Sequence, residues 1–556
     1  MENEKLSPIK RFWLLLKPDG QEIRNLYIYA VIIGLLNLAL PIGIQAIINL
    51  IQGGAVSTSW IVLTVLVAGA IALSGILQIN QLRITENLQQ KIFTRAAFEF
   101  TYRIPRIRLE QLFKQYAPEL MNRFFDVISV QKGITKILID FSAASIQVVF
   151  GLVLLSLYHP FFIVFSLLLV IMIIAIFRYT MKRGMTTSLR ESKHKYQVAH
   201  WLEEIARSNT TFKLAGKTDI TMDHTDDHVE DYIDARENHF MVLKWQYTLM
   251  VVFKVLVAVG LLLIGGLLVI EQQMNIGQFV AAEIVILLVV NSVEKVILSF
   301  ETIYDVLTAL EKLGQVTDLE LEREGGISLN VASGGVNLDI EQLSYQYPQE
   351  HKMAINKVSF KIAAGERVLV TGNNDSGKST LLYLISGLLT PVSGSVLIEG
   401  IPLNNYNFEQ LRSYIGGYLR DESLFEGTLF ENIALGREGA TPENVRWAIE
   451  IAGLKGLIGS LPNGYDMVIL PHGKQFSKST VAKLLIARAI ADKPKLLLLE
   501  NSFSVFSTED RKRILSALLD KQYPWTIIMS SSQPIDLLEM IDQRIEMSNG
   551  EIKSKN

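Results

Sequence analysis

Gly372-Asn373-Asn374-Asp375-Ser376-Gly377-Lys378-Ser379-Thr380 decides the reading of the second half of this chain. The apolar run Arg367–Thr371 leads into it, and a helix-like segment, Leu381–Leu389, follows. The nine residues match G-x-x-x-x-G-K-[ST] in the strand–loop–helix context the motif requires. Glycines let successive backbone N–H groups turn toward a phosphate, and the helix N-terminus adds positive partial charge. Lys378 is placed to reach β- and γ-phosphates, and the Ser379 hydroxyl can ligate Mg²⁺. A chance glycine-rich turn would lack both the Lys-Ser-Thr and the preceding strand. ATP and Mg²⁺ are therefore the expected ligands.

Outward from this loop, short β-branched and leucine runs alternate with helical patterns: Val396–Glu399, Leu496–Leu499 and Thr526–Met529. That alternation predicts an α/β domain with a mostly parallel sheet over 336–556. Its length is ordinary for one domain.

Upstream the solvent changes. No charged residue occurs between Arg24 and Arg83, and none from Phe141 to Phe177. Each stretch exceeds one span of about 20 residues. Gly53-Gly54 and His159-Pro160 supply the turns that divide them. Two more apolar segments, near 247–270 and 277–300, bring the prediction to six membrane helices over 25–305. A cytoplasmic or interfacial segment, 1–24, precedes them, and a linker, 306–335, follows. Within 1–24, the basic and aromatic stretch Ile9–Leu16 suggests a helix lying on the inner leaflet.

Lys and Arg crowd the segment before the first span and the two long loops, after spans two and four; the remaining connections are short and lack both. The positive-inside rule places both termini in the cytoplasm, in an inner or plasma membrane. The first apolar run is too long for a signal-peptide core, and no cleavage is expected. Lys254 and Glu283 lie inside predicted spans, where a charge is costly; an ion pair between spans five and six or a polar path is expected.

Composition agrees. Of 556 residues, 49% are hydrophobic and 20% charged, and the mean hydropathy is +0.28. A disordered or collagen-like chain is excluded. A net charge of −3 gives no global basic field, so nucleic acid is not an expected partner. Without cysteine there are no disulfides, thiolate metal sites or cysteine nucleophiles.

Further segments carry a family resemblance. Leu389-Thr390-Pro391-Val392-Ser393-Gly394-Ser395-Val396, Leu424-Phe425-Glu426-Gly427-Thr428, Leu461-Pro462-Asn463-Gly464-Tyr465-Asp466 and Ile486-Ala487-Arg488-Ala489 are similar to stretches of ABC transporters. The second half resembles the family's nucleotide-binding domain, and the first half its exporter-type membrane domain. The resemblance covers nearly the whole chain. It implies an exporter half-transporter whose Tyr347 stacks on adenine. Coupling helices are implied near Leu112–Asn122 and Ala206–Phe212.

The departures from the family pattern are as informative. The second acidic strand normally ends Asp-Glu; here Leu496–Leu499 ends in Glu500-Asn501. Glu500 keeps the charge for Mg²⁺ on a longer arm. Asn501, at the general-base position, is a neutral amide and cannot accept a proton near neutral pH. Ser532 stands at the switch-histidine position, and Arg420 replaces the glutamine of the loop after the phosphate helix. The signature Leu-Ser-Gly-Gly-Gln becomes Phe476-Ser477-Lys478-Ser479-Thr480, which retains the serine and loses both glycines. Asp375 occupies a place where the family usually has glycine.

The resemblance implies a dimer, as a homodimer or with a second half-transporter, in which each ATP lies between one phosphate loop and the opposite signature. Membrane lipid is an expected partner, and a periplasmic adaptor is a further one. The sequence thus predicts an ATP-binding export subunit, of peptide or protein substrates, with slow or partner-dependent hydrolysis. The alternative from another class is a catalytically inactive ATP-binding regulator or scaffold.

Overall fold

The computed structural model describes residues 6–53, 58–113, 117–329, 334–348, 350–500, 503–532 and 538–555. They divide into two compact units. The first holds residues up to Pro105 and Gln115–Leu319; the second holds Arg106–Lys114 and Glu320 onward.

The first unit is helical. Among the described residues six segments are long and apolar enough to cross a membrane: Pro8–Gln52, Thr58–Arg106, Glu119–Tyr158, Phe161–Arg207, Ile220–Ile270 and Ile276–Thr317. At about 1.5 Å rise per residue, a helix of 47 residues reaches about 70 Å, over twice the hydrocarbon thickness of about 30 Å. Each apolar span therefore continues into a charged extension. The fold makes the chain an integral membrane protein.

Packing in this unit uses small residues against large ones. A Cβ on Gly184 would lie 2.3 Å from the Tyr304 ring, so only glycine lets these helices approach. The Tyr304 hydroxyl is met by the amide of Gln246 at 2.9 Å, which also donates to Thr180 at 2.7 Å, so this buried polar cluster is satisfied. Phe162, Met250, Phe253, Val285 and Phe300 form the apolar core around it.

One boundary differs from the sequence reading, and two expected features take definite form. The last helix does not end near 305. It runs to Thr317, and the unit to Leu319, so 306–319 is not linker. The helix Pro8–Leu16, capped by Ser7, exposes Ile9, Trp13 and Leu14, while the Arg11 guanidinium holds Asp318. Lys254 makes the expected ion pair between spans five and six, with Glu294 at 2.5 Å rather than Glu283 as its partner.

The second unit is α/β. Its main sheet has six strands in the order Glu551–Lys555, Gln543–Ser548, Arg367–Thr371, Thr526–Ser531, Leu496–Glu500 and Ile415–Tyr418. All pairings are parallel except that of the outermost Glu551–Lys555 strand. The central strands are buried on both faces, which explains their unbroken runs of Leu, Val and Ile. A second sheet, antiparallel, pairs Ile355–Ile362, Leu338–Tyr345, Ser393–Ile398 and Ile401–Pro402. It covers the other side of the phosphate-loop helix, Lys378–Ile385, whose Leu381, Leu382 and Leu384 are buried between the layers.

Arg106–Lys114 belongs to this second unit although it lies between apolar helices two and three. Its short helix, Leu109–Leu112, is placed by three contacts. Arg108 pairs with Glu320 at 3.0 Å, the Glu110 carboxylate accepts from the Thr390 N–H at 2.8 Å, and Arg106 pairs with Glu409 at 3.1 Å. The expected coupling segment, Leu112–Asn122, is thus divided, with Leu112 in the second unit. Asn122 lies in the first unit, as does the short helix Asn209–Leu214 in the region of the second expected segment.

Candidate nucleotide-binding site

The phosphate loop sits where a parallel sheet delivers it, between the end of strand Arg367–Thr371 and the start of helix Lys378–Ile385. Two glycines are required there. Gly372 (φ 151°) would place a Cβ 2.3 Å from the Met547 carbonyl, and Gly377 (φ 98°) one 2.4 Å from that of Ala354. Gly377 is the residue immediately before the helix, so the loop's N–H groups converge at the helix N-terminus. Asp375 is also left-handed (φ 58°), where a side chain is strained.

Lys378 is buried and folded into the loop it serves. Its ammonium donates to the carbonyls of Gly372 at 2.8 Å and Asn373 at 2.6 Å, and to the Ser376 hydroxyl at 3.1 Å. Burial lowers its pKa. Among the described residues this ammonium has only carbonyl and hydroxyl hydrogen-bond partners, with the Asp375 and Glu500 charges nearby, and a phosphate would supply a direct counter-ion.

Glu500 ends its strand beside this loop. One carboxylate oxygen accepts from the Ser379 hydroxyl, and the other from the Arg420 N–H at 2.8 Å. A hydroxyl and a carboxylate brought together form an all-oxygen donor set, which suits a hard cation such as Mg²⁺. The two carboxylate oxygens thus serve one partner each.

The Tyr347 hydroxyl meets Thr380 Oγ1 at 3.1 Å, beside the loop helix and outside the lining of the cavity that opens from this loop. Its ring lies edge-on to Tyr345, centroids 5.1 Å apart, and to Phe113, 5.3 Å away. Burial raises the Tyr347 pKa, so the hydroxyl stays neutral.

A cavity of about 850 Å³ opens from the loop. Asn374, Asp375, Lys378 and Ser379 line one side, and Phe476 and Lys478 line another. Arg420, Glu500 and Ser532 also face it. The structure therefore gathers the phosphate loop and most positions flagged as altered around one space. Ser477 caps helix Lys478–Ile490 by accepting from the Thr480 N–H at 3.1 Å, so the retained serine does structural work. Asn501 lies outside the described residues.

His472 and Glu422 are among the lining residues that escaped the sequence reading. His472 adopts a left-handed backbone (φ 60°), and Glu422 sits two residues after Arg420. The Glu422 carboxylate accepts from the Leu419 N–H at 3.2 Å, and burial pushes its pKa up to about 7. Neither position is marked by periodicity; only the fold of the loop brings them to the cavity.

Comparison with known proteins agrees with this geometry. Residues 25–293 match the ABC transporter transmembrane region family, and residues 355–504 match the ABC transporter family. The chain is 33% identical over 246 residues to the uncharacterized ABC transporter ATP-binding protein YfiB of Bacillus subtilis (44% of this chain, 42% of that protein). It is 29% identical over 297 residues to the cyclolysin secretion/processing ATP-binding protein CyaB of Bordetella pertussis (53% and 41%). It is 30% identical over 251 residues to an ATP-dependent lipid A-core flippase of Burkholderia orbicola (45% and 42%). These matches span less than half the length of each relative. A bacterial Atm1-family ABC exporter solved with ATP bound shares the fold, with a TM-score of 0.84 at 19% identity, over 97% of this chain and 95% of that one. The chain belongs to the ABC transporters and has the fused transmembrane and ATP-binding domains of an exporter half-transporter.

Proposed function

We propose that this chain is an export subunit that binds ATP firmly and hydrolyses it slowly, or only with the help of a partner chain. ATP would lie with its phosphates on Gly372–Thr380 and its base against Tyr347. Ser379 and Glu500 would hold Mg²⁺, which would neutralise phosphate charge.

The observation that carries the reading is the pairing of an intact phosphate loop with replaced catalytic positions. Lys378 and Glu500 keep the binding charges. Asn501, Ser532 and Arg420 replace the groups that would activate water and sense the phosphate. Lys478 and Ser479 put side chains where two signature glycines would let backbone approach ATP held by an opposite subunit. Loss of a single transition-state stabiliser costs about 10²–10³ in rate.

The half-transporter arrangement supports a dimer, with a second copy or a different half-transporter. In a homodimer both sites carry the same replacements. In a heterodimer one site would lack the base and the other the signature glycines. A secreted peptide or protein is the substrate class favoured by the likeness to the cyclolysin secretion protein; the likeness to the flippase supports a lipid. The basic loops support an inner or plasma membrane with both termini in the cytoplasm.

Co-purification from native membranes tests the assembly. A second half-transporter with Asp-Glu and an intact glycine signature would support a heterodimer. Recovery of this chain alone would support a homodimer and remove partner-dependent hydrolysis from the account.

A further inference from the structure

The first unit contains a cavity of about 500 Å³ between helices Ile220–Ile270 and Ile276–Thr317. Its position along them is informative. On the first helix the apolar stretch begins near 247, and on the second it ends near 300. The lining residues run from Arg236 to Thr248 and from Ile297 to Glu301. The cavity therefore straddles the level at which both helices pass from hydrocarbon to the side of the basic loops. Trp245 and Tyr247 are 52% and 48% exposed at the same level, as belt aromatics are.

The charges are divided between the two walls. Arg236 is already held by Glu191 at 3.0 Å. Lys244 on one helix and Glu301 on the other both line the cavity; among the described residues neither makes a direct ion pair, and Glu301 feels the more distant charge of Arg236. Opposite charges that share a cavity without meeting leave a dipolar gap. Phe240, Leu243 and Leu298 provide the apolar remainder.

We infer that this cavity binds a phospholipid of the basic-loop-side leaflet whose headgroup joins a phosphate to a primary ammonium. The phosphate would face Lys244, the ammonium Glu301, and the upper acyl chains the apolar wall. Phosphatidylethanolamine has this chemistry. Phosphatidylglycerol lacks the cation, and phosphatidylcholine has a cation that cannot donate a hydrogen bond. The site is separate from the nucleotide cavity and does not depend on the proposed ATP chemistry.

The test is native mass spectrometry of the purified full-length protein offered an equimolar mixture of short-chain phosphatidylethanolamine, phosphatidylglycerol and phosphatidylcholine. One charge-assisted hydrogen bond is worth about tenfold in binding, so phosphatidylethanolamine should be retained about tenfold over the other two. Glu301→Gln should bring its ratio to phosphatidylglycerol near one, and Lys244→Gln should reduce retention of both. Because the ratio is read on one preparation, partial misfolding of a variant does not mimic the result. Equal retention by the unmodified protein would overturn the proposal, as would an unchanged ratio in Glu301→Gln. Cross-linking that shows Phe240 and Leu298 covered by a second copy, with no lipid retained, would also overturn it.

Discussion

Glu500 and Ser379 are bonded directly, carboxylate to hydroxyl, across the gap between a sheet strand and the first turn of the phosphate-loop helix. The other carboxylate oxygen takes the Arg420 N–H. One side chain thereby ties three motifs, and it does so with a residue one methylene longer than the Asp of the family pattern. Glu500→Gln would keep the shape and remove the charge. We expect ATP affinity in Mg²⁺ to fall toward the affinity in EDTA, a contrast that calorimetry on the purified protein reads directly.

Among the described residues Lys378 makes hydrogen bonds only to carbonyls and a hydroxyl, and it makes no ion pair with a carboxylate. Its replacement by alanine removes the strongest charge-assisted contact to phosphate, about 1.5–3 kcal/mol. ATP binding, followed by photolabelling, should weaken about tenfold or more while the protein stays folded. Unchanged labelling would place ATP elsewhere.

Asp375 adopts a left-handed backbone in which L-residues are strained by about 1–2 kcal/mol. It also sets a carboxylate beside the phosphate site. Asp375→Gly relieves both. The expected outcome is ATP affinity a few-fold tighter by calorimetry, with thermal stability unchanged or raised. Weaker binding would show that Asp375 is a ligand and not a liability.

Burial raises Glu422 to about 7, from the ordinary carboxylate range. A carboxyl that holds its proton more tightly when folded gives stability present in full below its unfolded pKa and lost as pH rises through 7. The melting temperature of the ABC domain should therefore decline between about pH 5 and about pH 8, and Glu422→Gln should flatten that decline. The Leu419 N–H retains an acceptor in the glutamine variant, so the comparison isolates the charge.

The phosphate loop could be read from the sequence because everything that defines it is local: a buried strand, glycines at two left-handed positions, and Lys-Ser-Thr opening a helix. The six spans were equally legible, because the absence of charge over such lengths has few explanations. Of the antiparallel sheet only the strand at Val396 was legible, and it was expected in the parallel sheet. The antiparallel strand Leu338–Tyr345 shifts register between Ile340 and Leu343 and carries Gln342 at φ 46°, which breaks the alternation that would have marked it. Nor could sequence show that Arg106–Lys114 folds with the ATP-binding domain, since Arg108–Glu320 and Glu110–Thr390 join residues far apart in the chain. Lys254 was recognised as an unusual charge, but its partner depended on helix register, and that register selects Glu294.

An ATP site that binds well and turns over slowly has a distinct kinetic signature. The most direct measurement is steady-state hydrolysis by the purified chain, with nucleotide occupancy determined on the same sample. The account predicts saturable ATP binding that depends on Lys378, with turnover about 10²-fold or more below that of an intact family site. Turnover of several per second, abolished by Lys378→Ala, would contradict it.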